Sequence, residues 1–215
     1  MSYPKMCSAV FAAVAAGVVL VVASAASATV LCKTETSPCG SRYGAGTEIS
    51  GHLRSGTRSL IEEVPLTEVE FIIQCEESNL KFKTNNEGGA TQTVTAVTEA
   101  FTFGSCTEFS FETLYKIPVA VLKKPSLELH WQSGWNASIT AKGIETTLTY
   151  FGQDCVYGVP GGGSIGIGTL WGTKVARVLL SMQLARLSGF GCPEKTSWKA
   201  EYEVTSPSPL YAAAS

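Results

Sequence analysis

Along most of the chain, apolar and polar residues alternate with a period of two, the pattern of a strand that buries one face and wets the other. Val69, Phe71, Ile73 and Cys75 share one parity in a first run, Val97, Phe101 and Phe103 in a second, and Ile117, Val119 and Val121 in a third. Leu127, Leu129 and Trp131 follow, then Thr146, Leu148 and Tyr150, then Ile165, Ile167, Thr169 and Trp171, and last Trp198, Ala200, Tyr202 and Val204. Trp171 and Trp198 end or begin strand runs and are expected to fill the core. Turn signals separate the runs: Arg54-Ser55-Gly56-Thr57, Asn85-Asn86-Glu87-Gly88-Gly89, Ser133-Gly134 and Pro160-Gly161-Gly162-Gly163. Glycine, proline and asparagine at these points suit hairpins. Many short strands in an unrepeated order predict an all-β fold, an antiparallel β-sandwich.

Two stretches are less regular. Between Lys174 and Leu187, the residues Val175, Val178, Leu179 and Met182 fit a helical stripe, whereas Leu180, Met182 and Leu184 fit a strand. A helix there would lack a convincing N-cap, so a strand is expected. At the end, Ser206-Pro207-Ser208-Pro209 removes backbone donors, and Leu210 to Ser215 is expected to trail as a tail.

The beginning of the chain has a different pattern. Met1 to Ala28 carries one positive charge at Lys5, an apolar run from about Ala9 to Ala23, and small residues ending in Ala26-Ser27-Ala28. That is the order of a secretory signal peptide with an A-x-A site, which places the mature N-terminus at Thr29. The apolar run is shorter than the roughly 20 residues a membrane-spanning helix needs. Thr29-Val30-Leu31 before Cys32 lacks the small residue that lipid attachment requires directly before a cysteine. Thr29 to Ser215 is long enough for one domain with a substantial core.

Cysteine usage agrees with export. Cys7 leaves with the leader, and Cys32, Cys39, Cys75, Cys106, Cys155 and Cys192 remain. An even set in an oxidising compartment reads as three disulfides. Sequence alone does not choose the pairing. The expectation is neighbour to neighbour, Cys32–Cys39, Cys75–Cys106 and Cys155–Cys192. Cys75 ends one strand run and Cys106 follows another beyond a Gly-rich turn, and Cys155 and Cys192 bracket the last two long runs. A zinc site would use closer pairs with histidines nearby, so neither a metal nor a cofactor is expected. The net charge of −2 comes with no basic run to track a phosphate backbone, so nucleic acid is not an expected partner.

The spacing Cys32…Pro38-Cys39…Tyr43…Gly46-Thr47, then Gly56-Thr57, Cys75, Gly88-Gly89, Phe101-Thr102-Phe103-Gly104-Ser105-Cys106 and Cys155-Val156-Tyr157-Gly158 resembles a group of secreted bacterial β-rich proteins without an established activity. The ending Cys192-Pro193…Trp198-Lys199-Ala200-Glu201-Tyr202…Ser206-Pro207-Ser208-Pro209-Leu210-Tyr211 extends the resemblance over nearly the whole mature chain. It implies a bacterial exported β protein and carries no residue roles.

Candidate chemistry is sparse. Gly162-Gly163-Ser164-Ile165-Gly166 matches a nucleophile elbow, but His52 and His130 both precede it and a strand pattern follows Ser164 where a helix should be. Gly161, Gly163 and Gly166 match a dinucleotide fingerprint without the helix or the later acidic residue that give it meaning. Asp154 is the only aspartate, which excludes an EF-hand loop and an aspartic protease. Glutamates such as Glu62, Glu63, Glu68, Glu70, Glu76, Glu77, Glu108 and Glu112 could still pair as the acid and base of an extracellular glycosidase-like hydrolase. Asn136-Ala137-Ser138 is an N-glycosylation sequon only in a host that uses one. Trp131 and Trp135 are the candidate binding residues, because an aromatic ring in the turn Ser133-Gly134-Trp135-Asn136 offers a flat face to a sugar or a protein. The sequence therefore points to a secreted, non-catalytic β domain, extracellular or held at the cell envelope, that meets a glycan or protein partner. The hydrolase is the rival.

Overall fold

A computed structural model describes residues 28–64, 71–110, 113–150 and 152–215. The leader up to Ser27, together with Glu68, Val69, Glu70 and Glu112, lies outside the described residues. The strands are β1 (Thr29–Cys32), β2 (Glu48–Leu53), β3 (Ser59–Val64), β4 (Phe71–Thr84), β5 (Val94–Ser110), β6 (Thr113–Lys116), β7 (Val119–Lys123), β8 (Ser126–Ser133), β9 (Asn136–Lys142), β10 (Glu145–Tyr150), β11 (Gln153–Gly158), β12 (Ser164–Trp171), β13 (Arg177–Ser188), β14 (Lys195–Ser206) and β15 (Tyr211–Ala214). No helix among the described residues is long and apolar enough to cross a membrane.

The fold is all-β and the sheet closes on itself. Going around, β3, β4, β5, β8, β9, β12, β13 and β14 are neighbours, and β14 pairs back onto β3. This is an eight-stranded barrel with extra strands, which corrects the expected sandwich. Period-two alternation shows only that one face of each strand is buried, which both architectures require. Closure rests on pairings such as Trp198 with Ile61, far apart in sequence, and alternation carries no trace of them. β2 continues the position of β3: β14 and β4 each pair first with one and then with the other.

Strands too long for one barrel build the rest. β13 leaves β12 after Leu180 and pairs with β11 over Ala185–Ser188, and β11 carries β10 and β7 outward. The stretch that was ambiguous between helix and strand is thus strand. At one end β1 and β15 form a two-stranded cap, with Thr29 opposite Ala214 and Cys32 opposite Tyr211. Its seat is polar: Thr29 Oγ1 accepts from the Trp131 amide at 2.6 Å, and the Trp135 carbonyl accepts from both the Gly172 and the Ala212 amides. The expected tail is therefore a buried strand. Proline blocks pairing only where it stands, and the residues beyond Pro209 regain their N–H groups and place Leu210, Tyr211 and Ala212 in the interior.

The interior is filled. Trp198, 2% exposed, stacks on Phe101 with ring centroids 5.1 Å apart and lies 4.5 Å from Phe103. The polar ends of the buried aromatics are satisfied, Trp198 Nε1 donating to Ser59 Oγ and the Tyr202 hydroxyl bonding Ser78 Oγ, both at 2.7 Å. Burial holds the Tyr202 phenol neutral far above its ordinary range. Beside Phe101, Ile139 and Ile167 the packing leaves only about 30 Å³, lined almost entirely by apolar side chains and far below the volume of a ligand site. No calyx for a ligand exists there. Trp171, expected in the core, is 47% exposed on the outer wall. The bulge between Gly166 and Gly168 moves the inward position from Ile167 to Leu170, which turns Trp171 outward. The three disulfides join Cys32–Cys39, Cys75–Cys106 and Cys155–Cys192, neighbour to neighbour as expected.

Candidate functional site

The hairpin between β13 and β14 turns through Ser188-Gly189-Phe190-Gly191-Cys192. Gly189 has φ 115° and Gly191 φ 73°, a backbone region that L side chains rarely adopt. A Cβ on Gly189 would also lie 2.4 Å from Cys192 Sγ and 2.8 Å from the Asp154 carbonyl oxygen, so the tip is pressed against β11. Cys192 is bonded to Cys155 of that strand. The Phe190 carbonyl accepts from the Gln153 side-chain amide, and the Cys192 carbonyl from the Arg186 guanidinium. This fixed turn holds up a phenylalanine that is 93% exposed. Leaving a large apolar ring in water forgoes about 1.5–3 kcal/mol of burial.

A cleft of about 610 Å³ opens nearby, between Phe103–Thr107 of β5 and Lys116–Val119, with Glu76 at its rim. It sits where two strands change parity together. On β4 the inward set passes from Leu80 and Ser78 to Cys75 and Ile73 across Glu76-Glu77; on β5 it passes from Phe103 to Cys106 across Gly104-Ser105. Ser105 takes φ 51° to allow it, an uncommon conformation for a residue with a side chain. Cleft and tip are linked across β10 and β11. The Pro118 carbonyl accepts from the Thr149 amide, the Thr149 hydroxyl donates to Asp154 Oδ1, and the Asp154 backbone backs onto Gly189.

The glutamates at the cleft do not assemble an acid and base pair. Cys75 and Cys106 stand directly opposite, so their side chains share a face. Glu76, next to Cys75, points to the other face, whereas Glu108, two residues beyond Cys106, points inward with it. Glu108 is 1% exposed, its Oε1 has no hydrogen-bond partner, and burial raises its carboxyl above the ordinary range. Ser164 enters β12 as a strand residue opposite Lys142, with no elbow turn into a helix. His52 is exposed on β2 and His130 lies 3.5 Å from Glu128. Among the described residues no group of three or more His, Cys, Asp and Glu side chains could hold a metal ion.

The two candidate tryptophans flank the β8–β9 turn. Trp131 is half-buried with its indole N–H on the Gly134 carbonyl at 2.9 Å. Trp135 is not the fully exposed ring expected of that turn: it is half-buried and packs edge-on against Tyr211, centroids 5.7 Å apart, beneath the β1–β15 cap. Phe190 was missed because it belongs to no alternating run. Its one sequence signal is an aromatic residue between two glycines, immediately before a cysteine. No family model, curated protein or solved structure matches this chain.

Proposed function

We propose that this is an exported, non-catalytic binding domain that grips a protein partner through the Phe190 tip, outside the cell or at the envelope of a bacterium. The observation that carries the reading is the exposed ring on a turn clamped by the Cys155–Cys192 disulfide. A protruding aromatic knob fits a pocket on another protein, and aromatic anchors of this kind dominate interface energies. Because the turn is already rigid, little conformational entropy is lost on binding. A glycan fits less well, since sugar rings stack on flat aromatic faces ringed by polar groups and the tip is convex. Export is supported by the A-x-A site, by a first strand that begins at Thr29, and by three disulfides.

The test is a binding screen of the purified mature domain against envelope proteins, glycans and cell-wall fractions, repeated with Phe190→Ser. The expected result is a protein ligand whose affinity falls about tenfold or more in the variant, while the melting temperature stays unchanged because the ring touches no core. Unchanged affinity in the variant, or a glycan as the sole ligand, would overturn the reading.

A further inference from the structure

The peptide bond expected to be cleaved on export, Ala28–Thr29, is built into the fold at both of its polar atoms. The Ala28 carbonyl accepts from the Ser215 amide at 3.2 Å, and the Thr29 amide donates to the Gln92 carbonyl at 3.3 Å. Thr29 is fully buried, and so are Val30 and Leu31 after it. β15 lies along one edge of this segment, with Thr29 opposite Ala214. On the other edge Val30 bridges to Gly88, whose backbone comes so close that a Cβ there would overlap the Thr29 carbonyl oxygen. The Thr29 hydroxyl is engaged as well, holding the Trp131 amide at 2.6 Å, and Cys32 at the end of β1 is tied to Cys39.

A peptidase cannot use a bond held in this way. It takes the residues around the bond as an extended strand, paired main chain to main chain, and its oxyanion donors must reach the oxygen of the carbonyl under attack. Here both strand edges are taken, and the Ser215 amide already occupies the Ala28 oxygen. Exposing the bond requires β1 to leave its seat, which returns Val30 and Leu31 to water. We propose that the folded cap shuts the export cleavage site, so that leader removal comes before β1 docks and a precursor that folds first keeps its leader. Cleavage adds one water across the bond, leaving a carboxylate on Ala28 and an ammonium on Thr29. The order of the chain provides the interval for it. β15 follows every other described strand, so one edge of the site stays open until Tyr211–Ala214 has emerged behind the rest. The inference rests on the export reading and adds the sequence of events to it.

The whole chain with its leader, incubated in detergent micelles with a purified bacterial leader peptidase that reads small residues such as Ala26 and Ala28, tests this by intact mass. Reduced, unfolded precursor is expected to lose residues 1–28. Precursor folded and oxidised beforehand is expected to be cleaved about a hundredfold more slowly or less, because cleavage then tracks the rare open form. Two variants lift the two sides of the site separately: ending the chain at Pro209 removes β15, and Gly88→Val sets a side chain against the Thr29 carbonyl. Each, held at a temperature where circular dichroism shows the barrel intact, is expected to be cleaved within about tenfold of the unfolded rate. Equal rates for folded and unfolded native precursor would overturn the proposal and leave the export reading standing, and folded variants as resistant as the native chain would do the same. Unfolded precursor that is not cleaved at Ala28–Thr29 would remove the export reading and the proposal together.

Discussion

The indole N–H of Trp198 donates to the hydroxyl of Ser59 at 2.7 Å, inside the barrel and across the pairing of β14 with β3 that closes it. Both groups are buried, so the bond satisfies a donor that water cannot reach. Closure of the barrel and the polar accounting of its core therefore meet at one contact.

Ser59→Ala is expected to lower unfolding free energy by about 1–3 kcal/mol, the usual cost of leaving a buried donor without an acceptor. Urea titration followed by tryptophan fluorescence measures it. A change within experimental error would mean that Trp198 finds another acceptor and that closure does not depend on this bond.

Ending the chain at Pro209 removes β15. With Leu210, Tyr211 and Ala212 buried, the loss is expected to cost about 3 kcal/mol or more, at roughly 1.5–3 kcal/mol for each large apolar side chain returned to water. Thermal unfolding of the truncated domain is the check, since a trailing tail would leave the melting temperature unmoved.

Glu108 makes stability depend on pH in a definite direction. Burial raises its carboxyl in the folded state, so the native protein binds a proton more tightly than the unfolded chain does. Its contribution therefore falls as pH rises from the ordinary carboxylate range through the raised value, and returns on acidification. Glu108→Gln should flatten that part of the profile and be at least as stable as the native chain at neutral pH. Melting temperatures of both proteins between pH 4 and 7 would show it. Parallel profiles would mean that Glu108 ionises normally.

Reduction of the three disulfides should unfold or strongly destabilise the domain. The chain-entropy model assigns about 2.5 kcal/mol to the Cys32–Cys39 loop and a little under 4 kcal/mol to each of the longer ones, upper figures whose sum is on the order of 10 kcal/mol. That is comparable with the whole stability of an ordinary domain. Circular dichroism with and without reductant tests it. Replacing Cys155 and Cys192 together by serine should, in addition, raise amide exchange at the Phe190 tip.

The sequence by itself determined the all-β class and the positions of most strands, and it pointed to the neighbour-to-neighbour disulfides that the structure then showed. Each of these depends on residues close along the chain: the parity of Leu127, Leu129 and Trp131, the glycines of the turns, and Cys75 and Cys106 on adjacent strands. Only the tertiary structure decided that the sheet closes, that Tyr211 to Ala214 returns to pair with β1, that Trp171 faces out and Trp135 leans on Tyr211, and that Phe190 stands in water. Alternation reports that a strand has one buried face and is silent on what buries it. A barrel and a sandwich share that pattern, and the choice between them is made by pairings such as Ile61 with Trp198, whose free energy appears only once distant segments meet.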